Sequence, residues 1–179
     1  NQAKKMSIPI RHRRCIFLIQ AEKEGTKLVR ETLKGLYATG TSDFVTAVDE
    51  NYVIVVKDLS EGEAAKDIDK VARNLVNYLG KEGLKKVRLA YGTVVHEIKE
   101  ASRSYKEARM ALDVGKIFFD ERDVIAYSEL GIGRLIYQLP IPLCKMFIRE
   151  IFDGKSPDDF DEETLATINK FFENSLNVS

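Results

Sequence analysis

Short β-branched runs alternate with longer amphipathic stretches over most of the chain, and this alternation restricts the fold more than any other feature. Residues 15–19, Cys-Ile-Phe-Leu-Ile, form a continuous apolar run between charged residues, which is typical of a strand buried on both faces. Two further runs, 44–48 and 52–56, flank the polar residues 49–51 and predict a tight hairpin. Strands that alternate with helices in this way are expected to form one sheet with helices packed on it.

The remaining elements of this region follow from apolar periods of 3.6 and 2 residues. We expect helices at 26–36, 62–79 and 98–119, and strands at 87–95 and 124–126. Thr26 is the expected N-cap of the first helix, and Gly80 and Gly83 are the expected end of the second. The predicted order is β-α-β-β-α-β-α-β, an α+β fold with a ferredoxin-like or nucleotide-cyclase-like mixed sheet.

The last third of the sequence predicts helices only. A short helix follows Ser128, prolines 140 and 142 interrupt the chain, and a second helix covers 143–152 before Gly154. Ser156 and Pro157 predict the start of a third helix. We therefore divide the chain into a basic linker (1–14), an α/β domain (15–127) and a helical segment (128–179). We expect an excised part of a longer protein, because Asn1 is not an initiator and a further helix is expected to begin at Ser179.

Composition excludes several classes of protein. The chain has 179 residues, of which 44% are hydrophobic and 31% charged, so it can form a core and is not globally disordered. Its 28 basic and 28 acidic residues give no net charge, which argues against coating nucleic acid or lipid by bulk electrostatics. No apolar run approaches the ~20 residues of a membrane helix. Cys15 and Cys144 have no partner at metal-ligand or redox spacing, so we predict reduced core thiols and a cytoplasmic location.

The sequence contains no recognisable catalytic or cofactor-binding set. His12 and His96 lack partners at zinc-site spacing, and Gly131 and Gly133 do not complete a phosphate-binding glycine motif. The first fourteen residues contain five basic and no acidic side chains, and the run 11–14 is interpreted as a solvated linker rather than a phosphate contact. The acids of 153–163 are interpreted as helix caps. We expect no metal and no cofactor.

The residues from Ser104 to Leu112, Ser-Tyr-Lys-Glu-Ala-Arg-Met-Ala-Leu, resemble the "SY-x-EA-x-x-AL" helix of the CdaR/PucR group of bacterial transcription regulators. The resemblance continues through 125–135, and 165–179 is similar to the first part of the family's C-terminal helix-turn-helix. It implies a variable sensor domain, then a degenerate GGDEF-like domain, then a DNA-binding helix-turn-helix. The chain would contain the GGDEF-like domain and the first helix of the helix-turn-helix, without the recognition helix.

The resemblance to GGDEF domains can be compared with the residues that active diguanylate cyclases need. Their signature glycines lie on the hairpin turn, where this chain has Val48 and Asp49, and their metal-binding Asp ends the first strand, where this chain has Gln20. We therefore expect no enzymatic activity. Gln20, Glu22, Asp49, Glu50 and Asn51 are the candidates for a relict ligand cleft, with Arg88 or Lys57 to neutralise an anion.

Two functions remain open from the sequence. The first is a regulatory and oligomerisation module of a DNA-binding transcription regulator, which would form a homodimer and reach DNA through the missing helices. A small-molecule effector is compatible with this function, and a membrane is not an expected partner. The alternative is a binding module that holds a nucleotide or small carboxylate in the relict cleft.

Overall fold

A computed structural model of the chain describes residues 11–22, 25–37, 42–47, 50–59, 67–152, 154 and 159–173. The strands are β1 (Arg11–Ala21), β2 (Phe44–Ala47), β3 (Tyr52–Asp58), β4 (Val87–Tyr91), β5 (Val95–Glu97) and β6 (Val124–Ala126). The α-helices are α1 (Gly25–Leu36), α2 (Ile68–Lys81), α3 (Ala101–Phe118), α4 (Gly133–Gln138), α5 (Ile141–Ile151) and α6 (Glu162–Glu173). The predicted α+β class with a mixed sheet is confirmed.

The six strands form one sheet in the order β2-β3-β1-β4-β6, and β5 pairs with the first half of β1. All neighbours are antiparallel except β4 and β6, which run parallel. The predicted hairpin is confirmed, with Phe44 opposite Val56 and Ala47 opposite Val53. Residues 15–19 of the central strand are buried on both faces, as their unbroken apolar run predicts.

Alternate side chains of β1 enter two separate cores. Phe17 and Ile19 belong to a core that α1 and α2 cover, together with side chains such as Leu33 and Leu75. Ile16 and Leu18 face the other way, towards α3. This division follows from the two-residue period of a strand, which sends successive side chains to opposite faces. Helices therefore cover both faces of the sheet.

The start of β1 corrects the predicted domain boundary. The strand begins at Arg11, so residues 11–14 are not linker, whereas residues 1–10 lie outside the described part. β5 lies alongside these residues and provides a partner strand that the sequence did not predict. Arg14 is only 1% exposed, opposite Asp58 in the register of β1 and β3. Burial lowers the pKa of Arg14, and the charge of Asp58 partly opposes that effect.

The strand predicted at 87–95 is two strands, β4 and β5, separated by residues 92–94. The helix α3 approaches the break closely, since a Cβ at Gly92 would lie 2.1 Å from the carbonyl oxygen of Ser104. Ser104 Oγ accepts a hydrogen bond from Ile16 N (3.2 Å) and donates one to Thr93 O (2.8 Å). Side chains of α3 thus satisfy backbone groups at the break that a continuous strand would pair within the sheet.

The starts of the first three helices also differ from prediction. Thr26 is the second residue of α1 and is buried, so it is not the N-cap. Asp67 caps α2 by accepting from Lys70 N, and the predicted first turn at 62–66 lies outside the described residues. Gly83, with φ +93°, ends α2, and Gly80 is still helical. α3 begins at Ala101, after a 3₁₀ turn at Ile98–Glu100.

The prediction of helices in the last third is confirmed for the described residues, but the helix boundaries differ from those predicted. Ser128 lies in a 3₁₀ turn (Tyr127–Glu129) and does not cap α4, whose N-cap residue is Ile132. Gly154, with φ +78°, follows α5 and donates its N–H to Arg149 O, as predicted for a helix end. Residues 155–158 and 174–179, which include the predicted start at Ser156 and the final Ser179, lie outside the described residues. None of the described helices is long and apolar enough to cross a membrane.

Candidate functional site

One end of the sheet carries an open cleft, at the point where β1 ends and β4 begins. Gln20 lies between Tyr52 of β3 and Arg88 of β4 in the register of the sheet. The cleft has a volume of about 710 Å³. Its polar lining residues are Gln20, Glu22, Lys85, Lys86, Arg88, Asp120, Glu121 and Asp123. Two of the five candidates predicted for a relict ligand cleft, Gln20 and Glu22, therefore lie in a cleft.

The charged side chains of this cleft are partly paired with one another. Arg88 donates to the backbone oxygen of Asp120 at 2.6 Å and also to its carboxylate. The hydrogen bond from Arg88 holds the pKa of the Asp120 carboxyl below its usual value. Glu22 lies 3.9 Å from the Lys86 ammonium, and both side chains are exposed, so the pair contributes little. Arg88 is thus engaged, and Lys85 and Lys86 are the exposed cations of the cleft.

The other candidates lie outside this cleft. Glu50 and Asn51 precede β3 at the same end of the sheet, but neither lines the cleft. Asp49 lies outside the described residues. Lys57 is near the opposite end of β3, where its Nζ lies 2.5 Å from Asp43 Oδ2. The suggestion that Lys57 neutralises an anion in the cleft was therefore wrong, because its charge is already paired.

Sequence reasoning missed the acids that precede β6. The cleft is also lined by Asp120, Glu121 and Asp123. Because β6 runs parallel to β4, the segments that lead into these two strands lie at the same end of the sheet. Recognising 87–91 and 124–126 as parallel neighbours would have found them. Within the described ranges, no three His, Cys, Asp or Glu side chains are placed to hold a metal ion.

The polar residues of the 104–112 motif hydrogen-bond to the break between β4 and β5. Glu107 Oε2 accepts from Thr93 N at 2.8 Å and from Thr93 Oγ1 at 2.5 Å, beside the Ser104 hydrogen bonds to the same break. Ala108 and Leu112 of the motif are fully buried against the sheet. The motif therefore attaches α3 to the break between β4 and β5, away from the cleft.

A second set of contacts connects the hairpin to α4. The Arg109 guanidinium lies 4.2 Å from the centre of the Tyr52 ring, and its Nε is 3.3 Å from Asp113 Oδ2. Tyr137 of α4 donates its hydroxyl hydrogen to the same Asp113 oxygen at 3.2 Å. These polar contacts hold α4 against the outer side of α3.

Helices α4 and α5 expose large apolar side chains. We call this the α4–α5 surface and define it by Leu135, Leu139, Ile141, Leu143, Met146, Phe147 and Ile151. Their exposure ranges from 43% at Leu143 to 70% at Ile141. No residue of α5 is buried. Patches of this kind mark interaction surfaces in soluble proteins.

The fold and these sites define an α+β domain with a helix-covered mixed sheet, a polar cleft at one sheet end and an apolar helical surface beyond it. The family model of the GGDEF-like domain matches residues 1–114, and the chain belongs to this family. The match extends into α3 and ends before β6. No curated protein matches the chain.

Proposed function

We propose that the chain is a non-catalytic regulatory and oligomerisation module of a bacterial DNA-binding transcription regulator of the CdaR/PucR type. The observation that carries this proposal is the α4–α5 surface, which follows β6 in the chain and includes a whole helix without buried residues. The 104–112 motif and the GGDEF-like family support the same assignment. In this function the sheet domain is a scaffold, and the helices that follow it form the contact between two copies of the chain.

The chemistry of the cleft supports a non-catalytic domain. At the end of β1, Gln20 offers a neutral amide in the place where a cyclase needs a carboxylate for Mg²⁺. The hairpin turn has Val48 and Asp49 in place of glycines, and a Cβ prevents the close backbone approach that a nucleotide requires. We expect no turnover of GTP.

A second copy of the chain is the partner that we assign to the α4–α5 surface. Two copies related by a twofold axis bury the same surface at once, and twofold dimers are the commonest soluble assemblies. A specific interface buries about 800 Å² per partner. The seven large side chains of the α4–α5 surface, all at least 43% exposed, cover much of such an area.

Sedimentation equilibrium tests the dimer with matched variants. Phe147 of α5 is 58% exposed, and Leu36 is 45% exposed on α1, which covers the sheet face opposite to α3. We expect the unmodified chain and Leu36→Lys to dimerise at micromolar concentration, and Phe147→Lys to be monomeric. A monomer at the highest soluble concentration, or equal effects of the two variants, would contradict the proposal.

DNA binding of the full-length gene product tests the regulatory part. We expect it to bind the region upstream of its own gene specifically, at two salt concentrations, and this chain alone not to bind there. Phe147→Lys in the full-length product should weaken binding to paired half-sites, because the dimer is lost. Absence of specific binding by the full-length product would remove the assignment to transcription regulators.

The cleft supports a second candidate function, a small-molecule binding module. Lys85 and Lys86 are exposed beside an open volume of about 710 Å³, which suits an anionic ligand. Calorimetry with GTP, cyclic di-GMP and glucarate tests this candidate, with Lys85→Gln/Lys86→Gln as the variant that should lose binding. Flat titrations with all three ligands would exclude it for these ligand classes.

A further inference from the structure

A β-bulge lies at the start of β1, at the end of this strand opposite to the cleft. Arg11 pairs with Glu97 and Arg14 with Val95, so two residues of β1 lie opposite the single residue His96 of β5. Bulges redirect side chains and are frequent next to functional sites. A pocket of about 490 Å³ opens at this bulge, lined by Arg11, His12, Arg13, His96 and Glu97.

Three carboxylates near this pocket each lie close to a basic side chain. Asp58 Oδ2 lies 3.0 Å from His12 Nδ1 and also faces the buried Arg14. Glu97 lies 2.8 Å from the Lys99 ammonium, and its charge is felt more weakly by Arg11. Glu100 lies 3.4 Å from an Arg103 nitrogen and accepts from the backbone of His96.

Two guanidinium groups remain in excess after these pairs. Arg11 and Arg13 are both exposed, and neither forms a salt bridge with any residue that the structure describes. Both belong to β1 and line the same pocket, and the two are separated by one residue. A concave site with an excess of fixed positive charge attracts anions.

We propose that this pocket, the Arg11–Arg13 pocket, binds a phosphate-bearing anion. The planar fork of a guanidinium matches the oxygens of a phosphate and donates two parallel hydrogen bonds. Arg11 and Arg13 supply that charge, and the exposed imidazole of His96 supplies a further donor at the rim. This site is independent of the cleft at Gln20, which lies about 25 Å away along β1 at ~3.3 Å per residue.

The phosphate can come from a free phosphorylated ligand or from a nucleic-acid backbone, and both share the chemistry of the pocket. Titrations with pyrophosphate and with a DNA duplex of arbitrary sequence, followed by amide NMR, distinguish the two sources. The test variant is Arg11→Gln/Arg13→Gln. The control is Lys27→Gln/Arg30→Gln, which removes the same charge from exposed residues of α1 that line neither the pocket nor the cleft. Thermal unfolding checks that both variants fold.

We expect amide shifts near residues 11–13 and 96, and at least tenfold weaker binding in the arginine variant with little change in the α1 control. Saturation by pyrophosphate, with no tighter binding of DNA, would assign the pocket to free phosphorylated ligands. Tighter, salt-dependent DNA binding that the arginine variant loses would assign it to a nucleic-acid backbone. No shift with either probe, or equal weakening in both variants, would overturn the proposal.

Discussion

Leucine side chains are buried in the sheet domain but exposed on the α4–α5 surface. Leu112 of α3 is fully buried against the sheet, whereas Leu135 of α4 is 62% exposed. Both belong to helices with apolar residues at helical spacing. The difference arises because α1, α2 and α3 already cover both sheet faces. Helical periodicity therefore predicts an apolar face, but not the surface that covers it.

Hydrogen bonds, like apolar side chains, are more buried in the sheet domain than at the α4–α5 surface. Ser104 and Glu107 hydrogen-bond to backbone groups at the break beside β5, where the first of these bonds is buried and the second is partly buried. Tyr137 reaches Asp113 at the exposed side of α3. A hydrogen bond that satisfies a buried group is costly to remove, and one at the surface is replaced by water. We therefore expect the two regions to differ in stability as well as in exposure.

The two cysteines offer the largest contrast, since one lies in each region. Burial raises the pKa of the Cys15 thiol to about 12, whereas Cys144 of α5 is half-buried. Only the thiolate attacks an alkylating reagent, so Cys15 reacts after global opening of the domain. We expect Cys144 to be labelled at least about 1,000-fold faster at pH 8 in dilute solution.

Mass spectrometry of tryptic peptides after timed iodoacetamide pulses measures both rates in one sample. The Phe147→Lys variant provides the control, because it keeps Cys144 accessible if the dimer covers it. Similar rates for the two thiols in the native protein would show that the two regions open together. That result would remove the contrast on which the comparison rests.

Truncation of a leucine in each region is the next test. Leu112→Ala leaves a cavity beneath α3 and should cost about 2–5 kcal/mol of unfolding free energy. Leu135→Ala, the same chemical change at an exposed site, should cost less than about 0.5 kcal/mol in the monomer. Urea unfolding gives both values. Equal losses would mean that α4 packs as firmly as α3.

A methyl group at Gly92 tests the close approach of α3 to the sheet. Its Cβ would lie 2.1 Å from the carbonyl oxygen of Ser104 and 2.7 Å from its Oγ, so backbone must move. We expect Gly92→Ala to destabilise the domain by about 1–3 kcal/mol. Gly35→Ala is the control at an exposed position of α1, with no atom within 4 Å of the new Cβ, and should stabilise by about 0.5–1 kcal/mol. Loss of stability in both variants would point to a general effect of the substitution.

Local pattern was sufficient for much of the sheet domain and insufficient for its irregular parts. The hairpin of β2 and β3 and the burial of 15–19 follow from sequence spacing alone. The division of 87–95 into β4 and β5 does not, because it depends on Ser104 approaching Gly92 from a distant part of the chain. Arg14 is buried for the same kind of reason, since Asp58 reaches it only through strand pairing.

The candidate sites were less predictable than the fold. Gln20 and Glu22 are predicted because they lie at or just after the end of the first strand, but the acids at 120–123 depend on the parallel pairing of β4 and β6. The Arg11–Arg13 pocket depends on a register shift that no local pattern encodes. Sequence spacing reports neighbours along one element, whereas these sites form between elements that are far apart in the chain.

The smallest expected effect concerns the start of α6, at the far end of the helical segment. Asp161 Oδ1 accepts a hydrogen bond from Thr164 N at 2.7 Å, and this bond lowers the pKa of Asp161. Because the folded pKa lies below the unfolded value, the cap contributes fully above the unfolded pKa and is lost as pH falls through the folded one. We expect the Thr164 amide signal to shift in that acidic range, and Asp161→Ala to fray α6 without changing the unfolding midpoint of the sheet domain. A lower midpoint in that variant would show that α6 and the sheet unfold as one unit.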